Sequence, residues 1–203
     1  MGFIFAVHVP IAGMALLPLV LGLPIFFSPI HIAFLEMLID PVCSLVFEAE
    51  TDERDVMGRP PRAPDAPLFS WSLIAWSVLQ GALAFAVVAL VYVTALKRGM
   101  PETEARALGF FSLILTIFSL VIVNRSFSAS LVSAFRRPNA ALAWILLAIA
   151  TVLAAVLLWP AAASLFRFGP LHADDLLLTF GTAVAVLLGL EALKPIWRWR
   201  LTH

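Results

Sequence analysis

The chain has 203 residues, of which 62% are hydrophobic and 13% are charged, and its formal net charge is zero. An ordinary soluble domain has about 25% charged residues, so a soluble globule of this length could not hide so much apolar surface. The zero net charge gives no reason to expect a nucleic acid partner, and the single cysteine, Cys43, excludes a disulfide framework within the chain. The class that agrees with this composition is an integral membrane protein in the lipid bilayer.

Long runs without charged residues predict how often the chain crosses the bilayer, because a spanning helix needs about 20 apolar residues. The first run exceeds one span, and Gly22-Leu23-Pro24 and Ser28-Pro29 divide it into a helical hairpin. We therefore predict an all-α, polytopic membrane protein, with six transmembrane helices in a single domain over 1–203. The predicted spans are about 3–21, 29–47, 69–96, 107–124, 139–159 and 175–193.

Histidines occur in both helices of the hairpin. His8 lies midway along the first span, where a neutral imidazole could bind a cation or share a proton with acids on the second span. The competing interpretation of His8 is a packing residue that forms a hydrogen bond within the bundle. His31 lies nearer the hairpin turn, and we predict a packing role for it.

The second span carries two acids, Glu36 and Asp40, near its middle. A central acid costs about 2.5–3.5 kcal/mol to insert, and the i, i+4 spacing puts both carboxylates on one face. Asp40 precedes Pro41, which breaks the helix and frees backbone carbonyls near Met37. Carboxylates beside free carbonyls suit a hard cation, so we predict an ion site at this break. The alternative is a buried acid pair without a transport role.

Basic residues predict the orientation of the spans. Nine Lys and Arg residues fall on the side that holds 48–68, 125–138 and the C-terminal tail, and four fall on the other side. The positive-inside rule therefore puts both termini and the loop 48–68 in the cytoplasm. We predict structural roles for three other polar residues. Gln80 forms an interhelical hydrogen bond, Asn124 caps the end of its helix, and Glu191 forms an interfacial ion pair with Lys194.

Three motifs resemble the C-terminal membrane region of P-type cation-transporting ATPases, and of their type II branch in particular, which includes the calcium and sodium/potassium pumps. They are Gly22-Leu23-Pro24 ahead of Pro29, Phe-Leu-Glu-Met-Leu-Ile-Asp at 34–40, and Asp-Val-Met-Gly-Arg-Pro-Pro-Arg at 55–62. The resemblance implies that the six spans correspond to helices five to ten of a ten-helix pump. It also implies that the remaining helices, and the cytoplasmic headpiece with its ATP, Mg²⁺ and phosphorylated aspartate, precede Met1.

The resemblance also assigns ion ligands. The sixth-helix ligands of the family fall on Glu36, which stands where calcium pumps usually have Asn, and on Asp40. In the fifth helix, His8 and Ile11 stand where calcium pumps carry Asn and Glu. These departures favour one divalent site or a proton-coupled site over two calcium sites. The expected ligands are therefore Glu36, Asp40 and His8, and the expected cation is Ca²⁺, another divalent ion or H⁺.

No catalytic site is predicted within the chain, because its sequence holds no phosphate-binding loop, nucleophile elbow or His-rich metal motif. We predict the ion-binding and translocation module of an ATP-driven cation pump in the plasma or inner membrane. Two alternatives stay open. One is a stand-alone membrane interaction module, and the other is a small secondary transporter that exchanges protons through Glu36 and Asp40.

Overall fold

The computed structural model describes residues 2–49, 71–125 and 139–202, and within these ranges it is helical and contains no strand. The helices are α1 Gly2–Leu21, α2 Pro29–Pro41 with the π-helix Val42–Val46 directly after it, α3 Trp71–Lys97, α4 Glu102–Asn124, α5 Ala140–Leu158, α6 Pro160–Phe166 and α7 Ala173–Thr202. In the described ranges, six helical segments are long and apolar enough to cross a membrane, with α2 and the π-helix forming one of them. The predicted all-α bundle of six spans is confirmed.

Some helix ends differ from the predicted spans. α4 begins at Glu102, ahead of the predicted residue 107, because Glu102 and Glu104 place negative charge in its first turn, beside the positive end of the helix dipole. α7 continues to Thr202 through Pro195. From residue 50 onward, the predicted cytoplasmic loop 48–68 lies outside the described residues, as does the motif at 55–62.

The core of the bundle is centred on α4. Of its spanning window 83% is buried, compared with 22% to 39% for the other five spans. α4 packs against α3 and α7, while α3 packs along α1. At the α1–α3 contact, a Cβ on Gly81 would lie 2.6 Å from the carbonyl oxygen of Ala6. Helices in lipid associate through such close contacts of small residues, since lipid gives them no hydrophobic drive to pair.

The segment between α5 and α7, which the span prediction treats as a connector, contains the short helix α6. It ends at Arg167, whose φ of 53° lies in the left-handed region. Gly169 then donates its N–H to the Thr103 carbonyl at 2.9 Å, which joins this segment to α4. Phe166 and Phe168 are buried on either side of this turn and pack near the start of α2.

Candidate cation site

α2 carries both predicted acids on the side that faces away from the core. Leu35, Leu38 and Ile39 are buried, whereas Glu36 and Asp40 are exposed one helical turn apart. Neither carboxylate forms a hydrogen bond or an ion pair with any residue that the structure describes. The two acids therefore form a pair of free oxygen donors on one stripe of the helix surface.

The helix changes its hydrogen-bond pattern directly after Asp40. The α-helix ends at Pro41 and continues as the π-helix Val42–Val46, and the Ser44 hydroxyl donates to the Asp40 carbonyl at 2.8 Å. Because Pro41 has no N–H, the Met37 carbonyl loses its α-helical donor. At the position of the predicted break the helix is continuous and does not unwind, but it changes there from α to π.

The oxygen donors at this break suit a hard cation but do not complete its coordination. Ca²⁺ takes six to eight oxygen ligands, and two carboxylates with one free carbonyl supply fewer than that. Across the described ranges, no three His, Cys, Asp or Glu side chains lie close enough together to hold a metal ion. Glu36 and Asp40 are therefore a partial ligand set that further groups must complete.

His8 also lies on an exposed side, on α1, and its Nδ1 is 2.7 Å from the Ile4 carbonyl oxygen. The tautomer with its proton on Nδ1 donates to this carbonyl and leaves a lone pair on Nε2. α1 packs mainly on α3, and the described helices do not bring His8 and the two acids into one metal-binding group. The assignment of His8, Glu36 and Asp40 as cation ligands thus stays a prediction.

Three other polar residues of the spans, Gln80, Asn124 and Glu191, have side-chain partners inside the bundle. Asn124 donates from Nδ2 to Gln80 Oε1 at 2.7 Å, which is the interhelical hydrogen bond predicted for Gln80. Asn124 Nδ2 also donates to the Leu120 carbonyl at 2.8 Å, as expected of a residue that caps the end of α4, so its amide both caps α4 and links it to α3. Lys194 Nζ lies 2.9 Å from Glu191, as the i, i+3 spacing predicts. These pairs are expected in a bilayer, which makes the two unpartnered acids of α2 unusual.

The start of α2 is fixed by a buried histidine. The Ser28 N–H donates to His31 Nδ1 at 2.8 Å, so the two residues cap the first turn. The His31 ring is fully buried among Phe110, Phe166 and Phe168, with ring centroids 4.9, 5.6 and 5.1 Å away. The packing role predicted for His31 is present, and the structure adds that it holds the helix that carries the acids.

Two further side chains hold the turn between α1 and α2. The Arg106 guanidinium donates to the Ile25 carbonyl at 3.2 and 3.1 Å and to the Arg167 carbonyl at 3.2 Å. The Tyr92 hydroxyl donates to the Pro24 carbonyl at 2.9 Å. In the sequence, Arg106 is only one of the four basic residues on the less basic side of the membrane. Its partners are backbone carbonyls of residues far away along the chain. Because every residue carries such a carbonyl, no sequence pattern could identify the contact.

A comparison with known protein families identifies the family of the chain. The family described as cation transporting ATPase, C-terminus, matches residues 24–196, which include Glu36 and Asp40 but not His8. The chain therefore belongs to the family formed by the C-terminal transmembrane region of P-type cation-transporting ATPases, and the predicted resemblance is confirmed. It is an integral membrane protein and the membrane part of a cation-transporting ATPase. A search of curated proteins finds no match to the chain.

Proposed function

We propose that the chain binds and translocates the cation of an ATP-driven pump, with Asp40 as the principal ligand. Glu36, one turn away on the same stripe, is a second ligand or the protonated member of the pair. The observation that supports this role is the pair of exposed carboxylates without described partners, beside the α-to-π change of α2. Desolvated charges interact strongly, so a dication between them offsets their mutual repulsion.

The exposed acid stripe also favours a pump over a stand-alone membrane module. Each acid turned toward lipid at mid-membrane costs about 2.5–3.5 kcal/mol. In a chain that works alone, Glu36 and Asp40 would carry that cost without compensation from the described helices. In a pump, the remaining helices cover this stripe and add the missing oxygen ligands. His8, on the exposed side of α1, is available to the same helices as a weaker, neutral ligand.

The source of energy lies in the pump's cytoplasmic headpiece, which is the expected partner of this chain and binds ATP and Mg²⁺. The proposed location of the pump is the plasma or inner membrane, with both termini and the loop 48–68 in the cytoplasm. This orientation puts that loop beside the headpiece. The transported cation is Ca²⁺, another divalent ion or H⁺. Glu36 and Asp40 suit any of these, because a carboxylate binds either a hard cation or a proton.

Cation-stimulated ATP hydrolysis tests the proposal in membrane vesicles that contain the complete pump. Loss of a charged ligand costs about 1.5–3 kcal/mol, so Asp40→Asn should lower the apparent affinity for the stimulating cation by roughly tenfold to a hundredfold. We expect a smaller loss for Glu36→Gln and the smallest for His8→Ala, since imidazole brings no charge. Glu48→Gln is the matched control, because Glu48 is exposed in the turn beyond the π-helix.

Two outcomes would contradict the proposal. One is wild-type cation affinity in the Asp40→Asn variant at normal expression, which would make the acids structural. The other is proton exchange without ATP in vesicles that contain only this chain, which would instead support the secondary transporter.

A further inference from the structure

A cavity of about 380 Å³ opens where α3 ends and where α4 and α7 begin. Its size lies within the range of roughly 300–1,000 Å³ that is usual for ligand pockets. Four charged residues line it, namely Arg98 directly after α3, Glu104 of α4, and Asp174 and Asp175 of α7. Apolar side chains such as Val91 and Leu108 line the part toward the middle of the spans. The cavity thus has a charged part at the helix ends and an apolar part along the helices.

The charges in this cavity do not neutralise one another. The side chains of Arg98, Glu104 and Asp174 form no ion pair or hydrogen bond with any other residue in the described part of the chain. Asp175 is different, because it is buried and accepts the His172 N–H at 3.0 Å. One guanidinium and two carboxylates are therefore free to bind groups of opposite charge on a ligand.

We propose that the cavity binds the headgroup of a zwitterionic aminophospholipid. The Arg98 guanidinium is a planar fork of donors that matches a phosphate. A primary ammonium carries three N–H donors, which suit the free carboxylates of Glu104 and Asp174. The apolar part of the lining, with Val91 and Leu108, receives the first segments of the acyl chains.

The same charges discriminate among lipids. A choline headgroup has no N–H to donate to Glu104 or Asp174, and an anionic headgroup without an ammonium leaves both carboxylates unpaired. A bare metal ion is a poorer candidate, because no group of three acidic or histidine side chains in the described ranges could hold one. The expected order of binding is therefore phosphatidylethanolamine above phosphatidylcholine and phosphatidylglycerol.

Native mass spectrometry of the full chain in detergent tests this order with equimolar dioleoyl phosphatidylethanolamine, phosphatidylcholine and phosphatidylglycerol. We expect preferential retention of the ethanolamine lipid by the wild type. Arg98→Gln should lower that retention roughly tenfold, because one charge-assisted contact is lost. The double variant Glu104→Gln with Asp174→Asn should lose the preference for phosphatidylethanolamine over phosphatidylglycerol.

Matched controls and a second ligand make the result decisive. Lys97→Gln and Glu102→Gln remove exposed charges at the same helix ends but outside the cavity, so both should retain the lipid like the wild type. Soluble phosphoethanolamine should not be retained, because it leaves the apolar lining unfilled. Equal retention of the three lipids by the wild type, unchanged preference in the cavity variants, or retention of soluble phosphoethanolamine would overturn the proposal. Helical circular dichroism of each variant confirms that it is folded.

Discussion

The contact between α1 and α3 can be tested by adding one methyl group. Gly81 of α3 faces α1, and a Cβ there would lie 2.6 Å from the Ala6 carbonyl oxygen and 2.6 Å from the Val9 Cβ. Neither neighbour can move away by a change of rotamer, since one is backbone and the other is a β carbon. Gly81→Ala therefore forces α1 away from α3.

The magnitude follows from two opposing effects. Overpacking of a well-packed contact costs about 1–3 kcal/mol, and this contact belongs at the upper end because both neighbours are fixed. Replacement of a helical glycine by alanine contributes at most about 1 kcal/mol in the other direction. We expect a net loss of about 1–2 kcal/mol for Gly81→Ala. Gly181→Ala in α7 is the matched control, since its Cβ would meet nothing within 4 Å and only the favourable effect remains.

Thermal unfolding of the purified chain in detergent, followed by tryptophan fluorescence, measures both variants. Trp76 lies on α3, and only 2% of it is exposed, so its fluorescence should change when that helix loses its packing. Gly81→Ala should unfold at a lower temperature than the wild type, and Gly181→Ala at the same or a higher temperature. Equal unfolding temperatures for the two variants would show that α1 and α3 are not in the close contact described above.

Two further predictions concern the hairpin turn and the orientation. Tyr92→Phe removes the hydrogen bond to the Pro24 carbonyl and should lower the free energy of unfolding by about 1 kcal/mol. Arg106→Lys should lower it more, because an ammonium cannot reproduce the fork of donors of a guanidinium. Wild-type unfolding temperatures for both variants would show that these contacts do not hold the turn. Single cysteines at Asp52 and Pro101, in a chain without its native thiol, should react with a membrane-impermeant maleimide from opposite sides, with Asp52 cytoplasmic. Labelling of both from one side would contradict the six-span topology.

The spans could be predicted because their signal is local. An uncharged run of about 20 residues has few alternatives to a membrane helix, and Gly22 and Pro24 mark the turn that divides the first run. The position at which the second span changes its helix type was also predictable, since Pro41 removes a backbone donor whatever surrounds it. The acids Glu36 and Asp40 stood out because charge inside an apolar span is costly.

The rest depends on contacts between distant parts of the chain. The π form of the helix after Pro41 depends on how each carbonyl is satisfied, including the Asp40 carbonyl that accepts from Ser44. The aromatic surroundings of His31 come from α4 and from the turn after α6, which no local pattern connects to α2. The role of Arg106 was missed for the same reason, because its partners are backbone carbonyls.

The proposed ligand role of Asp40 can be measured most directly by carbodiimide modification of the complete pump, because this reagent reacts with carboxyl groups that are free of a bound cation. Peptide mass spectrometry then reports the modified fraction of Asp40, Glu36 and Glu48 with and without a saturating amount of the divalent cation that stimulates ATP hydrolysis. We expect the cation to protect Asp40 and Glu36 and to leave the exposed Glu48 unchanged. Equal modification of Asp40 in the presence and absence of that cation would contradict its assignment as the principal ligand.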